Sequence, residues 1–338
     1  MLMNRNKPEL LIAIAGMGKM GSYHLQALEQ LAAGEFEDYY KGNIGRQLSK
    51  IRICGICDID ERSLQTFGRI QGFSDFEQML EVAKPDMVII AVPTSMHKRF
   101  ASASLQRGIH TFVEKPIVAN SGDLDDVISL SVKHQCRLMA GHIERYNPVS
   151  IKIKSLLEKS QPPAQSYNFI RTQIHHARIS DDIITDKVIH DLDLAIYFFG
   201  PIQAVSVESI KLSGLRVHEA KLKIEHVGGA CGSIFVSWIN ADHDKCRQVT
   251  IAQGGHTWKG DFAAKKLWVD DLEIICHVDG LVNAENNQIK DELVDFIASC
   301  CDLDDLKIVP LLGMEEIIEA TRWLEYINNK CSEMENGK

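Results

Sequence analysis

The feature that most constrains the fold is the stretch Leu10–Ala32, where an apolar run, a glycine-rich turn and a helical pattern follow one another. Leu10–Ala15 is an unbroken apolar run, which is typical of a short strand buried on both faces. The next six residues read GMGKMG, and apolar side chains then recur at helical spacing. The pattern predicts a strand, a tight turn and a helix, in that order.

The glycines of this turn have the spacing G-x-G-x-x-G, which is used by dinucleotide-binding folds. Gly16 lets the chain turn tightly, Gly18 lets a pyrophosphate approach the backbone, and Gly21 lets the helix pack against the strand. The N–H groups at the start of the helix would hold the phosphates. Glycine-rich turns also serve plain strand-to-helix packing, but the strand before this turn and the helix after it favour a dinucleotide site.

A second apolar strand, Ile51–Cys57, ends at Asp58. A carboxylate at this position can accept hydrogen bonds from a ribose hydroxyl, and its charge repels the extra phosphate of NADP. The separation from the glycine turn exceeds the usual ~20 residues because residues 34–50 are predicted to form an insertion. The alternative is an ordinary turn or helix-capping aspartate, but the place of Asp58 directly after a strand favours the ribose role. We therefore expect NAD as the cofactor.

After Asp58 the sequence alternates between helical and strand patterns, which predicts a doubly wound parallel sheet of the α/β class. Further strands are predicted at Met87–Val92, at Ile109–Val113 and at Arg137–Gly141. Loops at the carboxyl ends of such strands line the ligand crevice. Residues 1–143 are therefore predicted to form an NAD-binding Rossmann domain.

Two of these strand ends carry side chains suited to chemistry. Pro93, Thr94 and His97 follow one strand, where Thr94 and His97 are either cofactor contacts or a capping threonine and a surface histidine. Glu114-Lys115-Pro116 follows the next strand. A lysine there, followed by a proline that restricts the backbone, lies where a nicotinamide and its substrate would meet.

The second half of the chain shows the period-two alternation of strands with one solvated face. Strands are predicted at 221–226, Cys231–Trp238, Arg247–Ala252 and Leu267–Ile275, and closing helices at about Glu285–Cys301 and Pro310–Asn329. Residues 144–330 are therefore predicted to form an α+β domain with a large, open, mostly antiparallel sheet. The last residues, 331–338, are predicted to be a tail.

One segment of this second domain carries side chains that a scaffold does not require. Asp186, His190 and Asp193 are spaced i, i+4 and i+7 in a predicted helix that runs to Phe199, so they would share one face. A carboxylate one turn from a histidine can fix its tautomer and raise its basicity, which suits a general base. The alternative is an N-cap aspartate followed by a solvated histidine.

Composition limits the possible partners. The 338 residues are enough for two domains with sizeable cores. A net charge of -9 argues against nucleic acid, and no apolar run approaches the ~20 residues of a membrane span. The segment MLMNRNKPE lacks the apolar core of a signal peptide, so we expect a cytoplasmic protein. The open sheet face needs a cover, and we expect a homodimer or homotetramer.

The cysteines and histidines predict no metal site. Nine cysteines, an odd number, fit a reduced compartment better than a disulfide framework. Cys54 and Cys57 form a C-x-x-C, but on a strand this separation sends the two side chains to opposite faces. His175 and His176 are adjacent, with no second ligand pair at metal spacing.

Together these motifs resemble the glucose-fructose oxidoreductase, inositol dehydrogenase and MocA (Gfo/Idh/MocA) family of NAD(P)-dependent sugar dehydrogenases. The resemblance covers nearly the whole chain: GMGKMG with Asp58, the Pro-Thr-Ser-x-His loop, Glu-Lys-Pro, and D-x-x-x-H-x-x-D in the second domain. It implies that Lys115, Asp186 and His190 act together at the nicotinamide. The cofactor site that it implies consists of Gly16, Gly18, Lys19, Met20, Gly21, Asp58, Pro93, Thr94, His97, Glu114 and Lys115. Val188 stands where the family often has a small residue.

Within the family, GHIERYNP at 141–148 and the later VIHDLDLAIYFFG resemble the branch that oxidises UDP-N-acetylglucosamine to its 3-keto form. This implies a sugar or nucleotide-sugar substrate. Arg145, Asn147 and Asp193 are then candidate substrate contacts, with a structural salt bridge as the alternative for Arg145. Two other functions are open: a dehydrogenase of a free polyol or sugar, and a catalytically silent NAD-binding regulator. Retention of all three candidate catalytic residues speaks against the regulator.

Overall fold

The computed structural model describes residues 7–35, 43–160, 163–174, 181–214, 216–239, 245–276, 287–303 and 313–335. The chain divides into two compact units. The first is Met1–Tyr146 with Gly280–Leu312, and the second is Asn147–Asp279 with Gly313–Lys338. The first break therefore lies three residues after the predicted boundary, and the segment from 280 to 312, predicted as part of the second domain, belongs to the first unit.

The first unit contains a six-stranded parallel sheet. Its strands are β1 (Leu10–Ala15), β2 (Ile51–Cys57), β3 (Gly72–Phe73), β4 (Met87–Ile90), β5 (His110–Glu114) and β6 (Leu138–Gly141). They lie in the order β3-β2-β1-β4-β5-β6, and every neighbouring pair is parallel. This is the doubly wound order of a dinucleotide-binding fold, and the predicted fold class is confirmed.

Helices follow most of these strands. They are α1 (Lys19–Ala32), α2 (Asn43–Leu48), α3 (Glu61–Thr66), α4 (Phe76–Ala83), α5 (Thr94–Gln106) and α6 (Ser121–His134), and a 3-10 turn, Ile143–Tyr146, follows β6. Asp75 caps α4, because its carboxylate accepts the backbone N–H of Gln78. Since β1 and β4 lie in the middle of a parallel sheet, their side chains are almost wholly buried on both faces.

The second unit contains an eight-stranded sheet. Its strands are β7 (Ser166–Ile174), β8 (Ile202–Ser213), β9 (Arg216–His226), β10 (Cys231–Ile239), β11 (Cys246–Gln253), β12 (His256–Asp261), β13 (Lys266–Val269) and β14 (Leu272–Ile274). The order is β14-β13-β12-β11-β7-β10-β9-β8. The pair β7–β10 is parallel and the others are antiparallel, so the mostly antiparallel sheet is confirmed.

The prediction of a single strand at Leu267–Ile275 is wrong. Leu267–Ile275 is a hairpin of two short strands, with Asp270 and Asp271 as its turn. Both aspartates have left-handed backbone angles, φ 48° and 67°, which suit the two-residue turn of a hairpin. Apolar residues stand on both sides of this two-residue turn, so hydrophobic periodicity alone does not separate the two strands.

Four more helices complete the described chain: α7 (Pro148–Lys159), α8 (Ile189–Phe199), α9 (Gln288–Cys300) and α10 (Met314–Glu335). The predicted start of α9 at Glu285 and that of α10 at Pro310 lie outside the described residues. Helix α9 belongs to the first unit. Helix α10 continues through residues 331–335, which were predicted to be tail. Within the described ranges, no helix has the length and apolarity needed to cross a bilayer.

Candidate functional site

The glycine turn after β1 depends on two of its three glycines for packing. Gly16 has a left-handed φ of +89°, and a Cβ there would lie 2.5 Å from the carbonyl oxygen of Ala91. A Cβ at Gly21 would lie 1.8 Å from the carbonyl oxygen of Gly16. At Gly18, by contrast, a Cβ would meet no heavy atom of the described residues within 4 Å. The turn therefore leaves open space beside the glycine that the motif reserves for a pyrophosphate.

Helix α1 begins in this open space. Gly18 is its N-cap, and in the described part of the chain no side chain caps this end. Lys19 and Met20 are the first two helical residues, and the Lys19 ammonium lies 5.8 Å from the Tyr23 ring centroid. The backbone N–H groups of a helix start attract anions, and an exposed lysine adds positive charge. The residues present therefore fit a dinucleotide phosphate.

Asp58 lies directly after β2 and contacts the glycine turn. One carboxylate oxygen accepts the backbone N–H of Met17 at 2.6 Å, and the other accepts the N–H of Asp60 at 2.8 Å. A carboxylate has about four acceptor positions, so acceptor capacity remains for a ribose hydroxyl. The structure thus brings Asp58 and the glycine turn together, as the cofactor prediction requires.

The loop after β4 departs from the expectation for His97. Pro93 is the N-cap of α5 and Thr94 is its first residue, at the carboxyl edge of the sheet. The His97 ring is 1% exposed and lies between two backbone carbonyls, with Nδ1 2.8 Å from the Pro116 oxygen and Nε2 2.8 Å from the Val92 oxygen. His97 therefore contacts the protein backbone, whereas we expected it to contact the cofactor or solvent.

The last residue of β5, Glu114, is bonded to a histidine that the sequence did not single out. His24 Nε2 lies 2.7 Å from Glu114 Oε1, and the His24 ring is wholly buried. Burial on its own raises the pKa of Glu114, but the hydrogen bond and the charges of His24 and Lys115 outweigh it, so this pKa lies below its ordinary value. The sequence does contain a signal for His24. It is a polar residue four positions before Leu28, which places it on the buried face of α1.

Lys115 follows β5 directly and is partly buried. Its backbone N–H donates to Glu114 Oε2 at 3.3 Å, and its peptide bond to Pro116 is cis. Because β1, β2, β4 and β5 are parallel neighbours, their carboxyl ends lie at one edge of the sheet. The first unit therefore places Lys115 at the same edge as the glycine turn, Asp58 and Thr94.

The candidate catalytic segment of the second unit begins with a π-helical turn. Ile184–Val188 forms this turn, and α8 starts directly after it at Ile189. Asp186 therefore lies in the π turn, whereas His190 and Asp193 lie in α8. Asp186 and His190 are partly exposed, whereas Asp193 is 1% exposed.

Two charged side chains that contact this segment, Lys187 and Arg171, were not identified from the sequence. Asp186 forms an ion pair with Lys187 at 3.0 Å. Asp191, next to His190, accepts two hydrogen bonds from Arg171 Nε at 3.0 Å each and one from its Nη2 at 2.6 Å. Both side chains of this second pair are buried, so it fixes the start of α8 to β7.

Asn147 and Arg145, the two candidate substrate residues near Pro148, are both buried. Asn147 caps α7, accepting the N–H of Val149 at 3.0 Å and donating to the Phe262 carbonyl at 2.9 Å. Arg145 is 2% exposed in the 3-10 turn after β6. Burial and the carboxylates of Asp295 and Glu292 raise the pKa of the neighbouring Tyr146 well above its ordinary value, and the charge of Arg145 acts in the opposite direction. The role of Asn147 and Arg145 as substrate contacts stays a prediction.

Metal-ligating side chains do not converge in the described ranges, which hold no cluster of three or more possible ligands. His175 and His176 lie outside the described residues. Cys54 and Cys57 are both buried, and burial raises the pKa of their thiols to about 11 and about 12. At neutral pH both are therefore thiols, which are poor nucleophiles.

Comparison with known sequences supports an NAD-binding Rossmann fold in the first unit. A Gfo/Idh/MocA model, described as an oxidoreductase family with an NAD-binding Rossmann fold, matches residues 10–142. The chain is 28% identical over 207 residues to the UDP-N-acetylglucosamine 3-dehydrogenase of Acidithiobacillus ferrooxidans, covering 58% of each chain. It is 24% identical over 195 residues to the myo-inositol 2-dehydrogenase of Thermotoga maritima, covering 56% of this chain and 54% of that one. The matches thus span little more than half of these relatives' length.

Solved structures resemble both units. The Acidithiobacillus ferrooxidans UDP-N-acetylglucosamine 3-dehydrogenase superposes with a TM-score of 0.76 at 20% identity, covering 94% of this chain and 96% of that one. A levoglucosan dehydrogenase in complex with NADH superposes with a TM-score of 0.80 at 15% identity, covering 96% of this chain and 97% of that one. At such identities the likeness establishes the fold alone.

Proposed function

The chain belongs to the Gfo/Idh/MocA family of oxidoreductases with an NAD-binding Rossmann fold, and on that premise we propose that it oxidises a secondary alcohol of a sugar with NAD. The observation that carries the proposal is the position of Lys115. It follows β5 at the sheet edge that also holds the glycine turn and Asp58. A lysine at this edge is suited to act on an alcohol beside the nicotinamide.

The proposed chemistry divides between three side chains. The bound NAD supplies a hydride acceptor for the carbon-bound hydrogen of the alcohol. His190 takes the hydroxyl proton, while the electron pair of the broken O–H bond forms the carbonyl. Lys115 donates a hydrogen bond to the same oxygen and stabilises the charge that develops on it. Asp186 supports His190 electrostatically, and its ion pair with Lys187 holds the carboxylate in place.

We propose UDP-N-acetylglucosamine as the substrate and its 3-keto derivative as the product. Support comes from the segments 141–148 and 188–200 and from the relative of that activity in Acidithiobacillus ferrooxidans. The second candidate is a free polyol or sugar, and its support is the similarity to the Thermotoga maritima myo-inositol 2-dehydrogenase. The two candidates differ in the nucleotide, so the substrate assay separates them.

The test is NAD reduction by the purified protein with UDP-N-acetylglucosamine, N-acetylglucosamine or myo-inositol as the substrate. We expect turnover with the nucleotide sugar and a product two mass units lighter. Lys115→Met should lower kcat by ~100-fold or more, while Lys133→Met, which changes an exposed lysine of α6, should leave it unchanged. NAD binding without turnover on any of the three substrates would contradict the proposed dehydrogenase activity. It would favour the alternative of a catalytically silent NAD-binding regulator.

We also propose that the protein is a homodimer or homotetramer that uses the eight-stranded sheet. Support comes from β8, a long strand at one edge of that sheet on which most side chains are exposed. The unpaired backbone N–H and C=O groups of an edge strand are a template on which a second chain can pair. A monomeric mass in light scattering at micromolar concentration would contradict this proposal.

A further inference from the structure

The residues on either side of Lys115 are each hydrogen-bonded to a buried histidine. On the N-terminal side, Glu114 Oε1 lies 2.7 Å from His24 Nε2. On the C-terminal side, the Pro116 carbonyl oxygen lies 2.8 Å from His97 Nδ1. His24 is 0% and His97 1% exposed, so water does not compete for either contact. A histidine of α1 and a histidine of α5 thus hold the two residues that flank Lys115.

The contact from His24 reaches Lys115 in two steps. The ring of His24 packs edge-on against Phe112 of β5, with the ring centroids 5.3 Å apart, which fixes its orientation. Its Nε2 holds one oxygen of Glu114, and the other oxygen accepts the backbone N–H of Lys115 at 3.3 Å. Because Glu114 is ionised over a wider pH range than an ordinary glutamate, this chain of contacts persists at neutral pH.

The contact from His97 joins two loops. Its ring lies between the carbonyl of Val92, after β4, and the carbonyl of Pro116, after β5. A neutral imidazole has one N–H and can donate to only one of these oxygens at a time, whereas the protonated ring can donate to both. The loop that carries Lys115 is thereby held at a defined distance from the loop that begins α5.

Both histidines project from helices that begin at the cofactor edge of the sheet. His24 belongs to α1, whose N-cap is Gly18 of the glycine turn, and His97 belongs to α5, whose N-cap is Pro93. We propose that His24 and His97 are positioning residues that set the place of Lys115 relative to the dinucleotide. The proposal rests on the proposed role of Lys115 in alcohol oxidation. Neither histidine would touch the reacting atoms.

The two contacts use different ring nitrogens, which allows matched variants. A glutamine places its side-chain nitrogen near the position of Nε2, and an asparagine near that of Nδ1. His24→Gln therefore keeps the donor to Glu114, while His24→Phe keeps an aromatic ring without a donor. His97→Asn keeps the donor to Pro116, whereas His97→Gln keeps only the donor to Val92. A purely structural role would not rank these variants in this order.

The first readout is the steady-state rate of NAD reduction as a function of pH. We expect His24→Phe and His97→Gln to lower kcat by ~30-fold and to shift its pH profile, because small displacements of a catalytic group are costly. The dissociation constant for NAD, measured by titration, should change by less than ~3-fold. His24→Gln and His97→Asn should retain kcat within ~3-fold of the unchanged protein.

The second readout does not require turnover. Trinitrobenzenesulfonate modifies lysine amines, and peptide mass spectrometry gives the rate at Lys115 with exposed Lys133 as the internal reference. We expect the Lys115 rate and its pH dependence to change in His24→Phe and His97→Gln and to return in the matched variants. The Lys133 rate should stay constant throughout.

Each outcome decides something. If His24→Phe and His97→Gln bind NAD but leave kcat and the Lys115 rate as in their matched variants, the positioning role is wrong. If the Lys115 rate changes as expected while the unchanged protein oxidises no sugar, the positioning role stands and the proposed function fails. Should His24→Phe not fold, the contrast between His97→Asn and His97→Gln decides, and equal behaviour of the two contradicts the proposal.

Discussion

The carboxylate of Asp58 accepts the backbone N–H of Met17 at 2.6 Å, which joins the end of β2 to the glycine turn after β1. The two residues are 41 positions apart in the chain. The residue expected to recognise the ribose therefore also holds the turn expected to bind the pyrophosphate. A substitution at Asp58 consequently affects both ends of the adenosine diphosphate part of the cofactor.

Replacement of Asp58 should change the choice between NAD and NADP. Asp58→Asn keeps an acceptor for the Met17 N–H but removes the charge that repels a 2′-phosphate, so we expect the preference for NAD to fall by ~10-fold or more. Asp60→Asn, at the exposed cap of α3, is the control and should not alter the preference. Cofactor titrations with both dinucleotides measure the effect. A preference of the unchanged protein for NADP would contradict the role of Asp58.

Two glycines of the turn should respond to alanine in opposite ways. Gly21→Ala places a Cβ 1.8 Å from the Gly16 carbonyl oxygen, so the backbone must move and the free energy of unfolding should fall by ~3 kcal/mol. Gly18 has an ordinary φ of -69° and open space, so Gly18→Ala should leave the melting temperature unchanged.

The same Gly18→Ala variant should nevertheless weaken NAD binding by ~10-fold or more, because the methyl group occupies the approach to the helix start. Thermal denaturation and NAD titration of the two variants separate stability from binding. Unchanged NAD affinity in Gly18→Ala would argue against a pyrophosphate at this turn.

The stability of the first unit should fall in mild acid because of His110. Its Nδ1 accepts the N–H of Arg137 at 2.9 Å, which requires the neutral ring, and burial lowers its pKa from 6.5 to about 4. Between pH 6.5 and 4 the unfolded chain binds a proton that the folded chain does not, so stability is lost as the pH falls, by up to roughly 3 kcal/mol.

His110→Asn keeps an acceptor for the Arg137 N–H but does not titrate. In urea unfolding followed by far-UV circular dichroism, this variant should lose less stability than the unchanged protein between pH 7 and pH 4.5. Equal losses in the two proteins would show that His110 does not contribute to acid sensitivity.

The ion pair of Arg171 and Asp191 should be essential to the second unit. Both side chains are buried, so Arg171→Met leaves an uncompensated carboxylate and should cost ~3–5 kcal/mol. The double variant Arg171→Met with Asp191→Leu should cost less than the sum of the single changes, because it leaves no buried charge behind. The four tryptophans all lie in this unit, so their fluorescence during urea unfolding reports on it. Additive losses would contradict the coupling.

The correct predictions from the sequence concern contacts between near neighbours in the chain. β1 and β2 have the predicted bounds, because an unbroken apolar run is a signal carried by consecutive residues. The two residues of β3 are too few to show a period, and the turn at Asp270 and Asp271 is a two-residue break between apolar residues. These two misses come from short elements, but the longer strands β7, β8 and β12 were not predicted either.

The doubly wound first sheet, the glycine turn with Asp58, and the place of Lys115 after a strand could all be read from the sequence. The folded chain reveals which side chains hold that lysine: His24 contacts Glu114 across 90 positions, and His97 contacts Pro116 across 19. It also shows that α9 belongs to the first unit and that Arg171 holds Asp191. Such contacts form because folding brings distant polar groups together where water is excluded, and no periodicity along the chain records that encounter.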